Sequence, residues 1–350
     1  GRSINLALSD RGLAALEMVG LREQALAISI PMLGRMIHPK VGETTMLLPY
    51  SGRPGEHIQS ISRPGLNALL LDAASANPAI DIRFHHGVRQ ADILNAHVTG
   101  IDTSNGQSFD IKGDVLIGTD GAGSDVRQGF MQQGANIRFN YSQQFLDHGY
   151  KELEIPAGRG GMWQIEKNAL HIWPRQSYMV IALPNLDGSF TVTLFLSFDG
   201  NPGFNHLHND HAILDFFTEQ FHDLIPLMPD LVEDFKLHPT GSLGTIKCSP
   251  WYTDKSLLMG DAAHAVVPFY GQGMNCAMED VLKLDAILDH HHDNWGEAFT
   301  EYERGRKKDT DAIADLAVEN YYEMRDHVDN PDFIAKRAIE MQLEKKYPDY

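Results

Sequence analysis

The run Leu257–Asp280, LLMGDAAHAVVPFYGQGMNCAMED, constrains the chain more than any other stretch. A short apolar segment stops at Gly260-Asp261, a loop rich in Pro and Gly follows, and from Met274 onward Ala277, Val281, Leu284 and Leu288 recur at helical spacing. The pattern predicts a strand, a loop and a helix start. Gly271 and Gly273 let the backbone approach a flat anionic ligand closely, and the free N–H groups of a helix start stabilise negative charge. Asp261 adds a carboxylate acceptor of the kind that binds sugar hydroxyls at strand ends. The bare GDxxH pattern fits equally an Asp that caps a turn; the longer string is more specific.

A chain of 350 residues can bury a large core, and two closely packed domains are expected. Lys and Arg number 29 against 47 Asp and Glu, a formal charge of −18, which disfavours nucleic acid and anionic membrane surfaces as partners. The one dense basic run, Arg304-Gly305-Arg306-Lys307-Lys308, precedes acidic residues and reads as an exposed helix face. Cys248 and Cys276 lack CxxC spacing, which suits a reducing compartment. No apolar stretch reaches the length of a membrane span and no signal peptide opens the sequence, so a cytoplasmic location without membrane contact is expected. His206, His208 and His211 fall in a polar loop and His290, His291 and His292 at a helix end; neither group has a second cluster at ligand spacing, so no metal is expected. Oligomeric state stays open, a dimer being one option.

The string GDAAHAVVPFYGQGMNCAMED resembles the second flavin motif of the single-component FAD-dependent aromatic hydroxylases. Further strings agree with the branch of that family that acts on L-kynurenine: GRSINLALSDRG (1–12), HGYKEL (148–153), LHIWPR (170–175), IALPNLDGSFTVTLF (181–195) and ENYYEMR (319–325). The resemblance implies an α/β fold: a Rossmann-like FAD-binding domain from residues 1–31, 59–136 and 247–290, interleaved with an antiparallel β-sheet substrate domain from 32–58 and 137–246, and a helical region over 291–350. A dinucleotide-binding unit opens with a strand, a GxGxxG loop and a helix, and this sequence has no such pattern. A GxGxxG unit of roughly 30 residues is therefore expected upstream of Gly1, and the family's sequences imply further chain beyond Tyr350.

Ser9 is a candidate N-cap for a helix carrying Leu13, Leu16 and Val19, with Gly20 to end it. The resemblance places Ala7, and as a further candidate Arg2, beside the flavin. Gly34–His38 and Thr44–Tyr50 read as two strands about a turn containing Pro39, Lys40 and Gly42. Paired there, Arg35 faces the neighbourhood of Leu48, and Tyr50 projects from the same face. Such a guanidinium and phenol can grip a carboxylate, although the residues alone fit a surface ion pair as well; the resemblance makes them the substrate-carboxylate residues. Ile61-Ser62-Arg63 runs into an amphipathic helix, and Ile80–Val88 reads as the next strand. The resemblance puts Arg63 on the cofactor and Val88 near its adenosine end. Asp114–Arg127 breaks at Asp120-Gly121 and restarts as a helix; it is either a plain turn or, by resemblance, the motif that touches flavin and nicotinamide pyrophosphates.

From about Arg138 to Ile246 the alternating runs Leu170–Trp173, Tyr178–Leu183 and Phe190–Leu196, with a turn over Asn185–Gly188, predict an antiparallel sheet walling a cavity. A helix over Ala212–Phe221 covers it. The helical stripe Ile313, Leu316, Ala317, Asn320, Met324, Val328 is apolar except at Asn320. A buried amide needs hydrogen-bond partners or costs about 1 to 3 kcal/mol. It is either a satisfied core Asn or, by resemblance, an amide facing substrate.

The resemblance implies a monooxygenase that binds FAD, takes NADPH and O2 as co-substrates and hydroxylates L-kynurenine at ring position 3 by way of a flavin C4a-hydroperoxide. The flavin carries that chemistry, which accounts for the lack of a Ser/His/Asp or paired-carboxylate constellation. Arg35, Tyr50 and Asn320 would hold the substrate; Gly260, Asp261, Gly273, Met274 and Asn275 the flavin; Phe269, Tyr270 and Gln272 would line the reaction chamber. His264 fits a structural or flavin-side role better than that of a general base. The alternatives are a related FAD hydroxylase or reductase with another substrate, and a flavin-free module.

Overall fold

The computed structural model describes residues 5–40, 44–51, 53, 55–292, 294–326 and 331–347; Arg2, Gly42 and Val328 lie outside these. The chain opens with β1 (Leu6–Leu8) and α1 (Asp10–Met18), which buries Leu13 and Leu16. Ser9 stands at the N-cap position, yet its hydroxyl caps nothing; its amide donates to Asn275 Oδ1 at 2.9 Å. Val19, expected on the apolar face, is exposed, because the helix stops at Met18 and Gly20, at φ +71°, turns the chain away. There follow α2 (Arg22–Ala27), β2 (Ser29–Met32), β3 (Gly34–Ile37), β4 (Met46–Pro49), β5 (Ile58–Ile61) and α3 (Arg63–Ser75). Ser62 Oγ caps α3 by accepting from the Gly65 amide. β5 pairs antiparallel with both β1 and β2.

The strand expected from Ile80 begins only at His86, since His85, at φ +63°, interrupts the extended backbone. It is the first of an antiparallel meander, β6 (His86–Asp92), β7 (His97–Asp102) and β8 (Ser108–Lys112), which the sequence reading had not separated. β9 (Leu116–Gly118), α4 (Asp125–Gln132) and α5 (Gly134–Ile137) come next. The long β10 (Asn140–Ile155), β11 (Leu170–Pro174), β12 (Met179–Pro184), β13 (Phe190–Ser197), α6 (Asp210–Gln220), α7 (Leu231–Leu237) and β14 (Thr240–Ser249) form the middle of the chain. β15 (Ser256–Leu258), α8 (Asp261–His264), α9 (Gly273–His291), α10 (Trp295–Asp326) and α11 (Pro331–Lys346) complete it.

One seven-stranded sheet has the order β14-β10-β13-β12-β11-β3-β4. β3 and β4 pair antiparallel with Arg35 opposite Leu48, as their turn spacing predicts. The sheet is not wholly antiparallel: β3 runs parallel to β11, with Arg35 opposite Leu170. A strand joining from so far back in the chain is not bound to the antiparallel sense that a hairpin imposes. One face of the sheet packs Trp173, Val180, Val192 and Leu194 against Phe216, Phe217 and Phe221 of the α6 region and Phe235 of α7. The other face packs Ile172, Met179 and Phe195 against Ala317, Tyr321 and Met324 of α10. β15 pairs parallel with β9, which brings the Gly260 turn beside the Asp120-Gly121 turn.

Two expectations about α10 need correction. Leu316 is 42% exposed, the apolar face of α10 turning past it to Ala317. Arg306, expected on a solvated basic face, is 3% exposed, because Asp280 and Glu279 of α9 draw its guanidinium inward. Among the described residues no helix is long and apolar enough to cross a membrane.

Candidate active site

At the end of β15 the backbone turns at Gly260, at φ +57°, a conformation costly for any residue with a Cβ. Asp261 follows, and after a short helical turn over Pro268–Tyr270 the chain reverses at Gly271, at φ +63°, before α9 begins. This loop is seated directly on β1. A Cβ at position 271 would stand 3.0 Å from Ala7 Cβ. Asn275 Nδ2 donates to the carbonyls of both Ala7 and Gly271 at 2.8 Å.

Between the loop and the cavity-facing side of the large sheet lies a cavity of about 750 Å³, within the roughly 300 to 1,000 Å³ of small-molecule and cofactor sites. The loop contributes Gly260, Asp261, Phe269, Tyr270, Gly273 and Met274, with Ala7 from β1 and Arg63 from the start of α3. Thr119 and Gly121 of the Asp-Gly turn also reach it. Asp120 itself points away, its carboxylate accepting from Ser124 Oγ at 2.5 Å and the Val126 amide at 3.0 Å to start α4. Arg127 of α4 ties the two turns together by donating to the carbonyls of Ala262, at 2.8 Å, and Ala122. The opposite wall is Leu170, Ile181, Leu183 and Phe195, one face of three successive strands, with Arg35 and Tyr50 at the same cavity. Strand alternation was visible in the sequence, but not which face met the cavity. Val281 of α9 also opens on the cavity instead of the core.

Four residues named from the sequence are not among the described residues that line this cavity: Val88, Gln272, Asn275 and Asn320. Val88 sits in β6 opposite Gly100. Gln272 is partly buried, its Oε1 without a hydrogen-bond partner. Asn275 is fully buried and joins the loop to β1 from behind. Asn320 donates through Nδ2 to the Phe269 carbonyl, and its Oδ1 accepts from Arg35 Nη2 at 3.3 Å. Its amide thus links α10 to the loop and to Arg35.

Arg35 Nη1 pairs with Glu323 Oε1 at 3.1 Å, a contact with no counterpart in the sequence reading. The i, i+3 spacing from Asn320 on one helix was the available signal. Arg35 Nε and Tyr50 Oη are buried without a hydrogen-bond partner of good geometry, and the guanidinium lies 5.9 Å from the Tyr50 ring centroid. Burial pushes the Tyr50 phenol up to about 12, with Arg35 moderating the rise. Asp261 is exposed at the cavity; the protein packed around it raises its carboxyl pKa by desolvation, and His264 and Arg63 partly offset that.

His264, Cys276 and Asp280 present donor atoms within 4.8 Å of one another, as a metal site would. The Arg306 guanidinium already occupies this cluster, 2.8 Å from Asp280 Oδ1 and 3.3 Å from Cys276 Sγ, and supplies the positive charge there. His264, 3% exposed, is bonded to Asp280 and is structural.

The residues present fit an FAD. Two positive-φ turns at Gly260 and Gly271 bring backbone up to the cavity, Asp261 offers an acceptor, and an aromatic and aliphatic wall faces the loop. A model of the family described as FAD binding domain matches residues 5–317. The chain is 48% identical to a kynurenine 3-monooxygenase of Myxococcus xanthus, over 99% of this chain and 74% of that protein. It is 44% identical to one from Flavobacterium psychrophilum, over 100% of this chain and 77% of that protein. Among solved structures, 2-methyl-3-hydroxypyridine-5-carboxylic acid oxygenase in its tetrameric form superposes with a TM-score of 0.73 at 22% identity, covering 95% of this chain and 84% of the other. Klebsiella pneumoniae HpxO complexed with FAD and uric acid superposes at 0.70 with 19% identity, covering 98% and 85%. These two likenesses bear on the fold alone.

Proposed function

Since this chain belongs to the FAD binding domain family and, within it, to the kynurenine 3-monooxygenases, we propose that it hydroxylates L-kynurenine to 3-hydroxy-L-kynurenine, with FAD bound and NADPH and O2 as co-substrates. The observation that carries the substrate assignment is the Arg35–Tyr50 pair: a guanidinium and a phenol side by side at the cavity, next to the apolar wall of Leu170, Ile181, Leu183 and Phe195. An amino-acid carboxylate would accept two N–H bonds from Arg35 and an O–H bond from Tyr50. Glu323, already on Arg35, would stand beside the α-ammonium. The aromatic ring would then lie along Ile181, Leu183 and Phe195, facing Phe269 and Tyr270.

Bound FAD, reduced by NADPH, would supply the activation of dioxygen. The chain's own part is to orient and to exclude water. Asp261 would accept from a cofactor hydroxyl, Gly260 and Gly273 would let backbone approach it, and Arg63 would add positive charge at the cavity edge. Asn320 would keep Phe269 in place by its bond to that carbonyl, and Asn275 would hold the loop on β1. No general base is required of the protein, because the ring amine of an aminophenyl ketone activates its own ring.

Incubation with FAD, NADPH, O2 and L-kynurenine should yield a product heavier by one oxygen atom, hydroxylated at ring position 3. The decarboxylated amine analogue should give little product. Equal turnover of the two compounds would reject the role given to Arg35 and Tyr50. Tyr50→Phe should weaken L-kynurenine binding about tenfold through loss of one charge-assisted hydrogen bond, with little effect on melting temperature, since in the free protein that hydroxyl makes no hydrogen bond of good geometry and has only the neighbouring Arg35 guanidinium to interact with. Titration by fluorescence and a thermal melt check both halves. With the phenol pushed up to about 12, no break in binding attributable to Tyr50 is expected below pH 10.

A further inference from the structure

Beneath the Gly260 turn lies an ionic cluster that the reaction does not use. The Asp280 carboxylate is fully buried, and it accepts from the Gly260 amide at 3.2 Å, His264 Nε2 at 2.7 Å and Arg306 Nε at 2.8 Å. Arg306 also donates to Glu279 Oε2 at 2.9 Å and to the Cys276 carbonyl at 3.3 Å. One carboxylate thereby joins the turn, α9 and α10. Burial works against its ionisation, and the bonds from His264 and Arg306 more than offset that, holding its carboxyl below the usual range. As a source of stability such a cluster has no advantage over an apolar filling of the same volume. Its geometry is distinctive in where it is aimed: two of the three donors belong to the segment that carries Asp261.

We propose that Asp280 is a positioning residue for the flavin turn. By accepting from the Gly260 amide and His264 it fixes the positive-φ backbone at Gly260 and hence the direction in which the Asp261 carboxylate meets the cavity, while Arg306 serves as its counter-charge. The turn is seated against the same helix, since a Cβ at position 260 would stand 3.3 Å from Ala277 Cβ. This inference rests on the flavin reading given above.

Asp280→Asn keeps the shape but leaves one acceptor oxygen for three donors and turns an N–H toward one of them. In the purified complete protein it should raise the FAD dissociation constant at least tenfold and alter the visible circular dichroism of bound FAD. Arg306→Lys, which keeps the counter-charge, should stay within about threefold of the wild type. The double variant Asp280→Asn/Arg306→Gln removes both charges together and so avoids a lone buried ion; it should fold and still bind FAD at least tenfold more weakly. Wild-type affinity and dichroism in Asp280→Asn, or full recovery in the double variant, overturns the proposal, as does an affinity that merely tracks melting temperature in all three. A wild-type complete protein, the expected upstream unit included, that takes up no FAD overturns the flavin reading and this inference with it. Uptake by the wild type and unchanged uptake by Asp280→Asn sinks this inference alone.

Discussion

Arg35→Ala should raise the dissociation constant for L-kynurenine about a hundredfold and leave the absorption spectrum of bound FAD unchanged. A desolvated, hydrogen-bonded charge pair is worth about 2 to 5 kcal/mol when one partner is truncated, and tenfold corresponds to about 1.4 kcal/mol. The separation of the two effects follows from where β3 sits. Arg35 stands on the sheet wall, and among the described residues its hydrogen-bonded link to the flavin loop runs through Asn320, whose own bond to the Phe269 carbonyl does not involve the guanidinium. Lysine should not rescue the site, because a point charge cannot reproduce a forked pair of N–H bonds. Substrate titrations of wild type, Arg35→Ala and Arg35→Lys decide it; equal affinity in all three removes Arg35 from the site.

Arg306→Ala should destabilise the fold by about 3 to 5 kcal/mol, because it leaves a fully buried carboxylate without its cation. Both side chains are at most 3% exposed, so solvent screens the pair little. Thermal and urea melts measure the loss. In the wild type the folded-state carboxyl of Asp280 lies below its ordinary value of 3.8, so its contribution to stability is complete above that value and disappears as the pH falls beneath it. Without Arg306 the desolvation effect gains weight and the carboxyl takes up a proton more readily. The gap between variant and wild type should therefore narrow on acidification, and a gap that widens would contradict the pairing.

The strand–loop–helix around Gly260 and the pairing of β3 with β4 were legible because their signals are local: glycines at turns, helical spacing from Met274, and a turn that sets the register. The burial of Arg306 was not, since a basic run on a helix carries no mark of the carboxylate waiting on the preceding helix. Gln272 and Asn275 stand inside the flavin motif, yet tertiary packing aims Asn275 at the Ala7 carbonyl, and neither side chain lines the cavity. Motif membership fixes the backbone near a ligand; the direction of each side chain is settled by neighbours far away in sequence. The parallel partnership of β3 with β11 is of the same kind. The hairpin-like meander over His86–Lys112 was blurred by charged and polar residues that weaken the alternation of an exposed sheet.

The large sheet wears two unrelated surfaces, one locked into the phenylalanine-rich layer of α6 and α7, the other lending Leu170, Ile181, Leu183 and Phe195 to the cavity. Because neighbouring positions on a strand point to opposite sides, substitutions at those four positions would reshape the cavity without entering the phenylalanine-rich layer, although Phe195, 1% exposed, also packs against Phe269 and the core under α10. Changes of substrate range from this side of the sheet thus leave the α6 and α7 side alone, and what they cost in foldedness is set by the contacts with α10.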